Sequence, residues 1–204
     1  MIKAVAFDLG GVLFSCGTPI AVERISKKHG YEKNLISDLL SSEKSIKLRK
    51  GKMSDNAFWK WAEKTLPAGY NVATIKREWY DCYIIDGEVF QLIKELFMNK
   101  RINLLVFSGN IRSRVLYLNK KYGFRKYFDH EVYSFDHGCM KGSKEFVKKL
   151  ISEAGCKPPE ILYIDDNPIQ AKPASMMGIN LLIYKKGKIE ELKEGIKRFG
   201  IALR

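Results

Sequence analysis

The chain has 204 residues, enough for one good core or for one core carrying an inserted subdomain. Its 46% apolar and 29% charged content is that of an ordinary soluble globular protein, and no apolar stretch approaches the roughly 18 residues that a membrane-spanning helix needs. The net charge of +13, from 36 Lys and Arg against 23 Asp and Glu, suits an anionic partner, but the basic residues are dispersed over 44–52, 120–126, 185–188 and 193–198. No zinc-finger, basic-zipper or aromatic RNA-binding signature accompanies them, so nucleic acid is not the expected partner. Only six residues separate Met1 from Asp8, too few for a signal peptide, and the expected location is cytoplasmic. Cys16, Cys82, Cys139 and Cys156 form no CxxC pair, and His29, His130 and His137 no i,i+4 pair, which argues against a thiolate or imidazole metal site.

In chain order, the apolar run at 2–7 predicts a buried strand closed by Asp8. Residues 19–83 carry helical patterns and no strand alternation. Pro19 suits the first turn of a helix ending at Gly30. Ser54 suits the N-cap of a helix whose Phe58, Trp61, Ala62 and Leu66 recur at helical spacing, and Val72, Ile75, Trp79 and Cys82 predict another. From Asp86 the pattern alternates: helix 88–100, strand 102–107, helix 111–122, a loop over 130–141, helix 143–155, strand 161–164, helix 170–178, strand 180–184, helix 189–199. Such βα repetition predicts an α/β fold, a doubly wound parallel sheet covered by helices. The first strand must join that sheet to cover its apolar run. The expected organisation is therefore a Rossmann-like core from 1–14 and 86–204, with 15–85 inserted as a helical cap over the C-terminal edge of the sheet.

Four polar clusters stand out. Asp8, Ser108 and Asp165–Asp166 each follow an apolar run, and Lys141 lies in a Gly/Cys/Met loop. Ligands of open α/β sheets sit beyond the carboxyl ends of the strands, so one fold brings together a carboxylate nucleophile, a hydroxyl, an ammonium and a carboxylate pair. Taken singly, each reads as turn, cap or surface chemistry; the ordered set fits phosphoryl transfer assisted by a divalent cation.

The segments FDLGGVLF at 7–14, VFSGN at 106–110, MKGSKEFVKKL at 140–150 and ILYIDDNPIQAKPASMMGI at 161–179 resemble the four motifs of haloacid dehalogenase-like hydrolases. Within that superfamily the resemblance is to the branch of sugar-phosphate phosphatases and the N-terminal phosphatase domain of soluble epoxide hydrolases. It implies Asp8 as the nucleophile that forms an aspartyl-phosphate, with Ser108, Gly109 and Lys141 around the transferring phosphoryl group. It implies Mg²⁺ bound by Asp8, the Gly10 carbonyl and Asp166, supported by Asp165 and Asn167. The implied substrate is a small phosphorylated metabolite, and the implied state a monomer or homodimer.

Three positions depart from the family pattern. Gly10 stands where phosphatases of the family usually carry a second Asp as general acid and base. Gly142 replaces a frequent Pro, which loosens the loop after Lys141, and Gln170 stands where many relatives have Asp. Gly10 and Gly142 also fit a weak or inactive member that binds a phosphorylated ligand or partner. A 2-haloacid dehalogenase is the other rival, but halide displacement at carbon needs no metal and gains nothing from Asp166 beside Asp8.

Overall fold

Five parallel strands form the centre of the computed structural model, which describes residues 1–99 and 101–203. They are β1 (Ala4–Phe7), β2 (Asn103–Ser108), β3 (His130–Tyr133), β4 (Ile161–Asp165) and β5 (Asn180–Ile183), in the order β3-β2-β1-β4-β5. Side chains alternate across the sheet, so each strand feeds two cores. Val5, Phe7, Leu104, Val106, Leu162 and Ile164 join one apolar cluster, and Ala4, Ala6, Leu105, Phe107, Ile161 and Tyr163 the other. Burial on both faces is why these strands read as unbroken apolar runs.

Register sets the site. Phe7 pairs with Val106 on one side and with Ile164 on the other. The residues that follow, Asp8 after β1, Ser108 at the end of β2 and Asp165–Asp166 from β4, therefore leave the sheet along one edge. Strand order reverses direction between β1 and β4, the place where open α/β sheets leave a crevice.

Five helices fill residues 15–85 after β1: α1 (Gly17–His29), α2 (Lys33–Ser41), α3 (Glu43–Arg49), α4 (Asp55–Thr65) and α5 (Val72–Asp81). Ser54 caps α4 as expected, its hydroxyl accepting the Ala57 N–H at 3.2 Å. The chain enters and leaves this block through one backbone junction. Phe14 bridges Ile85, the Ser15 N–H donates to the Ile84 carbonyl at 2.8 Å, and the Asp86 N–H donates to the Leu13 carbonyl at 2.8 Å. The remaining helices are α6 (Gly87–Phe97), α7 (Arg112–Tyr122), α8 (Ser134–His137), α9 (Lys144–Ala154), α10 (Pro168–Met176) and α11 (Ile189–Arg198).

The structure corrects the loop expected over 130–141. Its first residues are β3, an edge strand in which only Val132 and Tyr133 are buried, and α8 follows directly. A four-residue strand opening with His and Glu has no apolar run to announce it. Helices α2 and α3 also lack individual sequence signals, since α3 has only two buried residues, Ser45 and Leu48. The helix expected over 88–100 ends at Phe97, and Lys100 lies outside the described residues. Among the described residues no helix is long and apolar enough to cross a membrane.

Candidate active site

Asp8, 5% exposed, stands at the floor of a cavity of about 400 Å³ at the C-terminal edge of the sheet. Its Oδ1 accepts the Leu9 N–H at 2.7 Å, and its Oδ2 accepts from Lys141 Nζ at 2.5 Å. The same ammonium lies 2.8 Å from Asp165 Oδ2. Asp165 is fully buried and saturated: Oδ2 also accepts the Tyr163 hydroxyl, and Oδ1 accepts the Asn167 N–H at 2.8 Å. Asn167 caps α10, its side-chain oxygen taking the Ile169 and Gln170 N–H groups, so this turn fixes where Asp166 emerges.

Gly11 explains how Asp166 comes close. Its φ is +86°, and a Cβ placed there would lie 2.0 Å from Asp166 Oδ2. Only glycine both takes that backbone conformation and leaves the carboxylate its space. Asp8, Asp165 and Asp166 each present a ligand atom within 4.8 Å of the others.

One ammonium beside three carboxylates leaves excess negative charge. Burial first, and then the Asp165 charge, push the Asp8 carboxyl upward against the pull of Lys141 and Ser108. Burial and the charges of Asp8 and Asp165 push Asp166 up to about 6. Burial works against the charged form of Lys141, but the two aspartates outweigh it and hold the ammonium protonated. The surplus and the hard oxygen donors suit a small divalent cation. Asp166 and Asp8 are the carboxylates that face the cavity, whereas Asp165 is held beneath it.

Asp8, Gly10, Ser108, Gly109, Lys141, Asp166 and Asn167 all line this cavity, and Asp165 supports it from behind. Gly142 has φ +88°, a conformation closed to the proline that the family often has there, so the residue serves the turn. Gln170 reaches the cavity as well. Of the basic residues in 44–52, Arg49 lines the cavity, while Lys47 pairs with Glu43 and Lys44 lies over Trp61. Trp59, Trp79 and Tyr80 are buried in packing. Arg114 has no distinguishing sequence signal, sitting in α7 two residues after exposed Arg112, yet it is 1% exposed and lines the cavity.

The sequence model of the haloacid dehalogenase-like hydrolases matches residues 2–178, and the chain belongs to that family. A Dictyostelium discoideum protein whose name states no function is 39% identical over 221 residues, covering 94% of this chain and 95% of its own length. A sesquiterpene phosphatase of Aspergillus oryzae is 24% identical over 183 residues, 88% of this chain and 89% of that protein. Among solved structures, a family enzyme of Bacteroides thetaiotaomicron in complex with magnesium and inorganic phosphate has the same fold, with a TM-score of 0.78 at 21% identity over 92% of this chain and 96% of that one.

Proposed function

We propose that this hydrolase is a Mg²⁺-dependent phosphatase that acts on a small phosphomonoester through an aspartyl-phosphate on Asp8. The observation that carries the reading is the set of three carboxylates within 4.8 Å, two of them bridged by one buried lysine, at the switch point of the sheet. The phosphatase named among the relatives and the magnesium and phosphate in the solved neighbour support it.

An Asp8 carboxylate oxygen attacks phosphorus in line, the ester P–O bond breaks, and the phosphoryl group passes to Asp8. Water then attacks the phosphorus of the acyl phosphate, releasing inorganic phosphate and restoring the carboxylate. Ser108 and Lys141 donate hydrogen bonds to the transferring oxygens, where charge is concentrated in flight. Mg²⁺ held by Asp8, Asp166 and the Gly10 carbonyl would supply the positive charge that lets a carboxylate approach a phosphate dianion. Asp165 keeps Lys141 in place. Gly10 offers no acid to the leaving oxygen, so the favoured substrates are those whose leaving group needs little protonation, such as sugar 1-phosphates, acyl phosphates and aryl phosphates. Residues 15–85 act as the cap, a role supported by Leu40, Ile46 and Arg49 lining the same cavity as Asp8.

The test is hydrolysis of p-nitrophenyl phosphate with and without Mg²⁺, beside Asp8→Asn. Activity that needs the metal and vanishes in the variant supports the reading. No activity with this good leaving group moves the protein to the role of a phospholigand binder. Release of chloride from 2-chloropropionate without metal would instead make it a dehalogenase.

A further inference from the structure

Arg114 is a buried cation without a counter-ion. It is 1% exposed, and no carboxylate among the described residues forms an ion pair with it. Its Nε donates to Asn110 Oδ1 at 2.8 Å, but its Nη1 is buried with no hydrogen-bond partner. The guanidinium lies over two rings, 4.0 Å from the Tyr83 centroid and 4.9 Å from that of Trp79. Ring faces offset part of the cost of burying a charge, yet an orphaned guanidinium N–H remains costly. Arg49 approaches the same indole. Its Cζ is 5.9 Å from the same Trp79 ring, its Nε is also buried and unpartnered, and it too lines the cavity.

The two arginines hang on one hydrogen-bond chain. Ser134 Oγ donates to the Arg49 carbonyl at 2.7 Å and accepts the Asn110 N–H at 3.1 Å. Asn110 Oδ1 in turn orients Arg114, and also takes the Ile111 N–H at 2.9 Å. Two like charges are thus fixed beside one indole, where they repel. A fold tolerates that arrangement when an anion arrives between them.

We infer that Arg49 and Arg114 form a second anion subsite, which selects a phosphomonoester bearing another anionic group, a carboxylate or a second phosphoryl group, at the end remote from the ester. The inference deepens the phosphatase reading and rests on it for the position of the transferring group. Lys141 and Ser108 already serve that group at Asp8. Arg114 lies among Trp79, Tyr83 and Asn110, none of which holds the Asp8 carboxylate. Leu40, Ile46 and Pro19 line the same cavity and give the substrate body an apolar wall.

The test compares three substrates whose acid is insulated from the ring by a methylene: 4-(phosphonooxy)phenylacetate, its methyl ester, and the corresponding benzylphosphonate. The measured quantity is the ratio of kcat/KM for each acid to that for the neutral ester, taken within one protein, so that any general loss of activity cancels. The unaltered protein should prefer an acid by about tenfold to a hundredfold, and the acid with the larger preference names the group. Arg49→Gln and Arg114→Gln should each bring the ratio close to one. Should Arg114→Gln fail to fold, the half-buried Arg49 decides. A ratio near one in the unaltered protein overturns the inference, as does a ratio that survives both substitutions or variants that slow acid and ester alike. Calorimetric titration with 3-phosphonopropionate and propylphosphonate separates the two readings. Acid-selective binding lost in Arg49→Gln, without hydrolysis of any ester, keeps the subsite and removes the phosphatase. Hydrolysis of all three esters at equal efficiency does the reverse.

Discussion

Lys141 Nζ lies 2.5 Å from Asp8 Oδ2 and 2.8 Å from Asp165 Oδ2, so one ammonium joins the ends of two neighbouring strands. Its side chain is only 6% exposed, and solvent cannot replace it. Breaking a buried ion pair by deleting one member typically costs about 3–5 kcal/mol. Lys141→Met should lower the urea-denaturation free energy by about that amount and depress kcat by at least about 10²-fold. Added Mg²⁺ should return part of the stability, because a ligand that binds only the folded state favours it. A variant as stable as the parent would show that the three carboxylates do not depend on this cation.

Gly10 has room for a side chain. A Cβ there would meet Tyr83 Cε1 at 3.7 Å, ordinary van der Waals contact, and its φ lies outside the left-handed region. Gly10→Asp should therefore be accepted and should supply the missing proton donor. In the unaltered protein, kcat/KM across aryl and alkyl phosphates should fall steeply as the leaving-group pKa rises. In Gly10→Asp the slope should flatten, with gains of about 10²-fold or more for alkyl esters. A flat dependence in the unaltered protein would sink the idea that the leaving group departs unassisted.

Gly11 should tolerate nothing larger. Alanine there would have to take a φ of +86° and place its Cβ 2.0 Å from an Asp166 oxygen. Gly11→Ala should lose about 1–3 kcal/mol of stability and, by displacing Asp166, weaken Mg²⁺ binding measured by calorimetry. Unchanged metal affinity would mean that Asp166 is not a ligand.

A pH test lies away from the site. Glu78 of α5 is 2% exposed and faces three basic groups of α1: Lys28 at 2.7 Å, Arg24 at 2.8 Å and His29 at 3.3 Å. Burial pushes its carboxyl up, but hydrogen bonds from Lys28 and His29 and the Arg24 charge outweigh that and leave it below its ordinary value. A depressed folded pKa contributes stability that is complete above the unfolded value and fades as pH falls through the folded one. Glu78→Gln should thus be less stable than the parent at pH 7, by about 1–3 kcal/mol, and the gap should narrow as pH falls below the ordinary carboxylate range. A gap that stays constant as the pH is lowered through the whole acid range would assign the effect to packing.

The central strands were legible because burial on both faces leaves no polar residue to interrupt them, as in Ala4–Phe7. Asp8, Ser108 and Asp165–Asp166 were legible because each ends such a run, and Lys141 because its loop segment resembles a family motif. Three features were not. β3 has His130 and Glu131 half-buried at the sheet edge, so its sequence resembles a loop. Arg114 differs from Arg112 only in the face of α7 that it occupies, and the short polar pattern of that helix does not show which face turns inward. The need for glycine at position 11 depends on Asp166, which lies 155 positions further along the chain and meets it only through strand pairing.

The junction of Phe14 with Ile85 has a wider consequence. Because the backbone leaves the sheet and returns to it side by side, the β1 and β2 ends do not register how much chain lies between them. Helices can be added to or removed from that excursion without altering strand spacing or the placement of Asp8. On the proposed reading of residues 15–85 as a cap, the wall that Leu40, Ile46 and Arg49 give the cavity can diverge between relatives while the Asp8 end stays put.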